Sequence, residues 1–417
     1  MDSIKDTTVT NTENDNKINH LIVLQHGLHA TYQDFNSIIS RFEKENFENC
    51  EFVAAKSNSY FLATRDGIDK VGNRLFVEVK ELYEKYNHPK KISFIGHSLG
   101  GLVARYAIGL LYRDGFFKIC EPDQFISLSS PHCGSRRPST TVFNKVAHYF
   151  VDSFLSVTGR QLILHDSDLP DNIKVFPDTS NLPKGFENTT TSSNDPAIVS
   201  SPPLQISSPS IEVYKSVGND EKLTIIEKKE ENEVITNDQE VPMPLLVKMT
   251  EGIFFEGLKL FRKRILYSNI YNDIQVNFCT SDISAKNPYT LGKIMKFTEK
   301  YSHIIEEETL LDIDPKLLEE EINSKNQNEN QPKIEKTKKL YAISKHNHQD
   351  KIEDYFRHDT HHLYLKRILT NLRKLDFVRY HMYFKNFLSH TNIVVKRDWV
   401  NSEGWDIVHH LVDHFEP

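Results

Sequence analysis

One five-residue stretch limits what this chain can fold into more than any other. Gly96-His97-Ser98-Leu99-Gly100 ends an apolar run, Lys91 to Ile95, and opens a helical pattern from Leu99 to Tyr112. A serine at such a strand-to-helix corner sits on a strained turn, and the flanking glycines let strand and helix approach without a Cβ clash. The pentapeptide alone recurs by chance. The strand before it, the helix after it and the extra Gly101 supply the context that gives it meaning.

The surrounding pattern fits that corner. His20 to Gln25 is an apolar run of strand length, Thr31 to Phe42 has helix-like spacing, and Glu51 to Ser57 reads as a second strand. In Asp66 to Tyr86, Ile68, Val71, Leu75, Val79 and Leu82 recur three or four apart, as on one face of a helix. Asp123 to Leu128, Arg264 to Tyr271 and Val378 to Asn386 add strands, and Gly404 to Phe415 adds a terminal helix. Alternating strands and helices predict a mostly parallel sheet with helices on both faces.

Two stretches break the pattern. From about 165 to 240 the chain turns to Ser, Thr, Pro, Asn and Asp, a composition that buries too little apolar surface to order itself. From about 304 to 355 it becomes polar with charged helical fragments. The expected organisation is a polar leader over 1–19, then one domain over 20–417 interrupted by these two inserts.

The chain has 417 residues, 38% hydrophobic and 26% charged, with a formal net charge of -7, which excludes the basic footprint of a nucleic-acid binder. The polar, acidic stretch Met1 to His20 has no secretory or transit character, so a cytoplasmic location is expected. Val241 to Tyr267, the most apolar region, is interrupted by charges and is no membrane span. The four cysteines, Cys50, Cys120, Cys133 and Cys279, lie far apart and read as free thiols.

A serine hydroxyl becomes a useful nucleophile only when a base takes its proton and a carboxylate orients that base. On this framework they follow in the chain order Ser, acid, His. Asp273 follows the strand-like Arg264 to Tyr271, where a loop can aim it at the serine. A turn aspartate bonding its own backbone is the plain alternative, and Asp282 is the nearest rival. His390 lies in a loop after Val378 to Asn386, whereas His409, His410 and His414 fall in the terminal helix. The backbone N–H groups of Leu99, after the serine, and Leu28, after the strand-ending His26-Gly27, are the candidate oxyanion donors. No cofactor is implied. His358, His361 and His362 lack companion ligands for a metal, and Cys133 has no base beside it.

With Leu-Gln-His-Gly-Leu at 24–28, Gly-His-Ser-Leu-Gly-Gly at 96–101 and Leu-Ser-Ser-Pro-His-Cys-Gly at 128–134, the chain resembles the lipase-like serine esterase family of α/β-hydrolases. Tyr-Ser-Asn-Ile-Tyr-Asn-Asp-Ile-Gln-Val at 267–276 and Ser-His-Thr-Asn-Ile-Val-Val-Lys at 389–396 look like the family's acid and histidine segments. The resemblance implies an α/β-hydrolase fold with Ser98 as nucleophile, Asp273 as acid and His390 as base. It also implies a lipid or other ester substrate, including phospholipids and monoacylglycerols, and peripheral contact with membranes or lipid droplets. Leu246 to Phe261 is amphipathic and precedes the acid, which predicts a helical lid, although a helix packed on the core fits the same pattern. Acyl transfer to an alcohol and a catalytically silent binding module are the alternatives to hydrolysis.

Overall fold

The computed structural model describes residues 17–135, 156–167, 243–285, 287–289, 293–306, 311–312, 340–342 and 362–417. Nearly all of the first expected insert, most of the second, the leader up to residue 16, and His358 and His361 lie outside them. The described residues belong to one compact unit, Met1–Pro177 with Pro242–Pro417.

The short apolar runs pair as a parallel sheet. Its strands are β1 (His20–Gln25), β2 (Cys50–Ala54), β3 (Lys91–His97), β4 (Glu121–Leu128), β5 (Lys263–Asn269) and, further along the chain, β9 (Val378–Met382). They lie in the order β2-β1-β3-β4-β5-β9, every neighbouring pair parallel. Successive side chains on a strand point to opposite faces. Leu21 and Val23 therefore pack on one side of β1 while Ile22 and Leu24 pack on the other, all essentially inaccessible. Burial on both faces is why these strands read as continuous apolar runs rather than alternating ones.

The order also locates a crevice. The chain runs from β1 outward to β2, then returns to the other side of β1 for β3 and all later strands. Beyond the carboxyl ends of β1 and β3 lies the switch point where doubly wound sheets bind ligands. Gly27 follows one of those ends and Ser98 the other.

The helices are α1 (Asn36–Glu45), α2 (Ile68–Lys85), α3 (Leu99–Arg113), α4 (Val157–Leu162), α5 (Leu245–Lys248), α6 (Gly252–Lys259), α7 (Phe278–Ser281), α8 (His362–Leu372), α9 (Ser389–Asn392) and α10 (Trp405–Asp413). One face of the sheet is covered by α2, α3, α5, α6 and α8; the other by α1 and α10. α3 is buried from Leu99 to Leu111, which explains why its sequence is apolar all round. A second sheet, β7-β6-β8, is antiparallel and joins β6 (Lys293–Lys296) to β7 (Leu311–Asp312) and β8 (Leu340–Ala342). β7 and β8 fall within the span expected to be the second insert.

The expected lid is corrected by this packing. Leu246 to Phe261 falls in two short helices, α5 and α6, separated by residues 249–251, and α6 opens at Gly252, whose φ is +50°. Leu246, Met249, Leu258 and Phe261 are all 1% exposed or less and belong to the same core as α3. A Cβ on Gly109 would meet the Phe254 ring at 2.2 Å, so α3 and α6 touch closely. Of the apolar face that suggested a lid, Leu246, Met249 and Phe261 turn to the core, Ile253 is partly buried and Leu260 is exposed. Leu258→Ala should therefore destabilise the fold by about 2–5 kcal/mol, the usual result of a buried leucine truncation. Denaturant unfolding measures it, and turnover of soluble and aggregated esters should fall together. A selective loss on aggregated substrate at unchanged stability would restore the lid.

Candidate active site

Ser98 has φ 55° and ψ −128°, a region that side-chain-bearing residues rarely occupy and that carries about 1–3 kcal/mol of strain. The turn is held from all sides. Its N–H donates to Leu128 O at 2.9 Å, tying it to the end of β4. Glycine is required where the neighbouring backbone closes in: a Cβ on Gly100 would lie 2.0 Å from Gln25 O, and one on Gly96 would lie 2.5 Å from Gly101 Cα. Gly27 comes so near that its Cβ would stand 2.7 Å from Ser98 Cβ and 3.2 Å from Oγ. The loop after β1 thus lies directly against the serine, with Leu28 next in the chain. Leu99 opens α3, where an N–H has no acceptor within its helix.

Asp273 and His390 meet although 117 residues separate them: His390 Nδ1 lies 2.9 Å from Asp273 Oδ2. The same oxygen accepts from Ser129 Oγ at 2.7 Å and Asn269 Nδ2 at 2.9 Å. Oδ1 accepts from the N–H groups of Val276 at 2.9 Å and Gln275 at 3.1 Å. Burial pushes the carboxyl's pKa upward, but the His390 ring and these donors outweigh it and hold it below the ordinary carboxylate range. A buried carboxylate kept ionised this way orients a histidine through Nδ1–H and leaves Nε2 as the basic nitrogen.

The pair reaches the serine turn through His97. Its Nε2 donates to His390 O at 2.9 Å, and the two rings lie 4.9 Å apart. Burial, and secondarily the neighbouring His390, pushes the His97 pKa down to about 3, so it acts as a neutral donor that fixes the His390 backbone. The structure joins Asp273 to His390 and brings both against the residue preceding Ser98. It does not hydrogen-bond Ser98 Oγ to the His390 ring.

The family described as "Putative serine esterase (DUF676)" matches residues 15–182 and 201–285, together more than half of the chain. The chain belongs to this family. Within the serine esterase match fall Ser98, Leu28, Leu99 and Asp273; His390 lies beyond its end. Among curated relatives, "Putative lipase ROG1" of Saccharomyces cerevisiae is 36% identical over 124 residues, covering 28% of this chain and 18% of that protein. "Putative lipase YDL109C" of the same yeast is 34% identical over 158 residues, covering 36% of this chain and 24% of the other. The aligned stretch thus spans a quarter or less of either relative. Among solved structures, a Bacillus licheniformis lipase, BlEst2, is 18% identical, with a TM-score of 0.25, over 35% of this chain and 55% of that one.

In this member of the family the rival residues have other partners. Asp282 accepts from His381 Nε2 at 2.9 Å and from the Ser284 hydroxyl, which ties α7 to β9. His410 Nδ1 lies 2.9 Å from Tyr267 OH in a ring cluster with Tyr301, Tyr380 and His414. Burial, then His414, pushes its pKa down to about 3. His409 stacks on Trp405. Cys133 is buried, its thiol pushed up to about 12 by that burial, and all four cysteines are free. Among the described residues no group of three or more His, Cys, Asp or Glu could hold a metal. Ser129, Asn269 and His97 carry the geometry of the site, yet the sequence reading gave them no role. All three stand inside the segments quoted above, which is the one signal that could have found them.

Proposed function

We propose that the chain is a carboxylic ester hydrolase working through an acyl-enzyme, with Ser98 as nucleophile, His390 as base and Asp273 as its orienting acid. The observation that carries the reading is the buried Asp273–His390 hydrogen bond lying against a serine in strained backbone. Catalytic hydrogen bonds of free enzymes are often long and tighten on substrate, so His390 Nε2 reaches the Ser98 proton in the substrate complex.

Ser98 Oγ adds to the ester carbonyl carbon while its proton passes to His390 Nε2. The carbonyl oxygen becomes an oxyanion facing the N–H groups of Leu28 and Leu99. Collapse breaks the bond to the alkoxy oxygen, which leaves as the alcohol with the proton from Nε2. Water repeats the sequence on the acyl-serine and releases the acid.

The substrate proposed is a glycerolipid or phospholipid, on the strength of relatives named as lipases. Exposed Tyr60, Phe61 and Leu62, and Phe387 and Leu388 just before His390, supply apolar surface on loops that follow β2 and β9 at the same end of the sheet. Any lipid contact is proposed as peripheral, and no helix among the described residues is long and apolar enough to cross a membrane. A fluorophosphonate probe, with peptide mapping of the labelled residue, tests the mechanism. Label on Ser98 is the expected result, and label elsewhere or none overturns it. A panel of glycerolipids against short soluble esters then tests the substrate class.

A further inference from the structure

His26 directly follows β1 as a buried side chain, 1% exposed, at the start of the loop that approaches Ser98. Its Nδ1 lies 3.1 Å from the carbonyl oxygen of Gly27, and its Nε2 lies 3.0 Å from Ser59 Oγ. A carbonyl only accepts, so Nδ1 carries the hydrogen, and Nε2 of the neutral ring accepts the Ser59 hydroxyl proton. Ser59 Oγ in turn accepts from the Tyr32 N–H at 3.0 Å, which leaves its own proton for His26. Burial, against weaker opposing contributions from the Gly27 carbonyl and nearby acids, lowers the His26 pKa and keeps the ring neutral. The donors therefore run one way, from Tyr32 through Ser59 and His26 to Gly27 O, an order in which each bond polarises the next.

The carbonyl of Gly27 and the N–H of Leu28 belong to one planar peptide unit and point in opposite directions across it. Fixing the oxygen on one side aims the N–H to the other. Among the described residues the only further tie on that oxygen, from Ala30 N, is 3.4 Å long and weak. We propose that His26 is a positioning residue that aims the Leu28 N–H at the forming oxyanion, with Ser59 setting its tautomer. The inference rests on the ester-hydrolase reading in which Leu28 supplies that donor. His26 touches neither substrate nor reacting atoms, and acts through the peptide it holds.

The test compares His26→Phe, His26→Asn and Ser59→Ala in the full chain on a short soluble p-nitrophenyl ester. In His26→Phe, kcat should fall about 100-fold, the scale of a misplaced catalytic contact, with KM nearly unchanged. His26→Asn places an amide nitrogen at the position of Nδ1 and should recover most of that loss. Ser59→Ala frees the tautomer and should fall between the two. Wild-type kcat in His26→Phe overturns the proposal, as do equal losses in the Phe and Asn variants that track their melting temperatures. If His26→Phe does not fold, an unchanged kcat in Ser59→Ala overturns it. Activity retained in Ser98→Ala would instead bring down the underlying reading.

Discussion

Ser98→Ala is expected to abolish ester hydrolysis and fluorophosphonate labelling together, with a fall in kcat approaching a millionfold, roughly the scale reached when a coupled nucleophile is removed. The protein should keep its fold. Alanine shares the Cβ of serine, the hydroxyl is hydrogen-bonded to no described group, and the N–H bond to Leu128 O is a backbone bond that survives. Melting temperature measured beside kcat separates loss of chemistry from loss of structure. His390→Ala belongs to the same expectation, because residues acting as a unit lose nearly the same activity singly as together. The double variant should therefore be little worse than either single one. Additive losses would show that the serine and the histidine do not work as a unit.

Asp273→Asn is expected to lower kcat by about ten-thousandfold, since an amide nitrogen facing Nδ1 favours the wrong tautomer of the histidine. The site also predicts why asparagine is not innocuous here. Oδ1 and Oδ2 accept five hydrogen bonds, and one amide group cannot accept them all. Some destabilisation should accompany the loss, while Asp282→Asn should leave kcat near that of the parent. The carboxyl's pKa is depressed in the folded state, so what it contributes is present above its unfolded value and fades as pH falls through the folded one. Acidification through that interval should thus cost the parent stability that Asp273→Asn does not lose, as read by unfolding against pH. An equal loss in the two proteins would argue against an ionised Asp273 as the orienting group.

Much of this architecture was visible in the sequence because parallel strands buried on both faces leave unambiguous signals. His20–Gln25 appears in the structure with its expected bounds, and α2 and α3 with ends shifted by a residue or two. Leu246 to Phe261 failed because periodicity reports an apolar face and not what covers it; solvent, lipid and α3 all satisfy the same spacing. The small sheet of β6 to β8 was missed because strands of two to four residues offer too few alternations to detect. At the site, residue types and chain order could nominate Asp273 and His390, but their closeness depends on how β5 and β9 stack at one edge of the sheet. The supports were harder still. Nothing local distinguishes Ser129 from Ser130, yet one hydroxyl holds Asp273 while the other lies against Gly101.

The edge position of β9 has a consequence for the life of the nascent chain. His390 lies in α9, the short helix after β9, rather than in the loop its sequence suggested, and the segment beyond it folds back onto the start of α1: Lys396 pairs with Asp34 at 2.8 Å and Ser37 donates to Val395 O at 2.9 Å. Synthesis proceeds from the other end, so the serine corner can form on β3 and β4 long before its base exists. On the proposed triad, an emerging chain lacks its base until residues 389–396 have docked across a separation of hundreds of residues. Contacts of such long sequence separation are the slow ones to close.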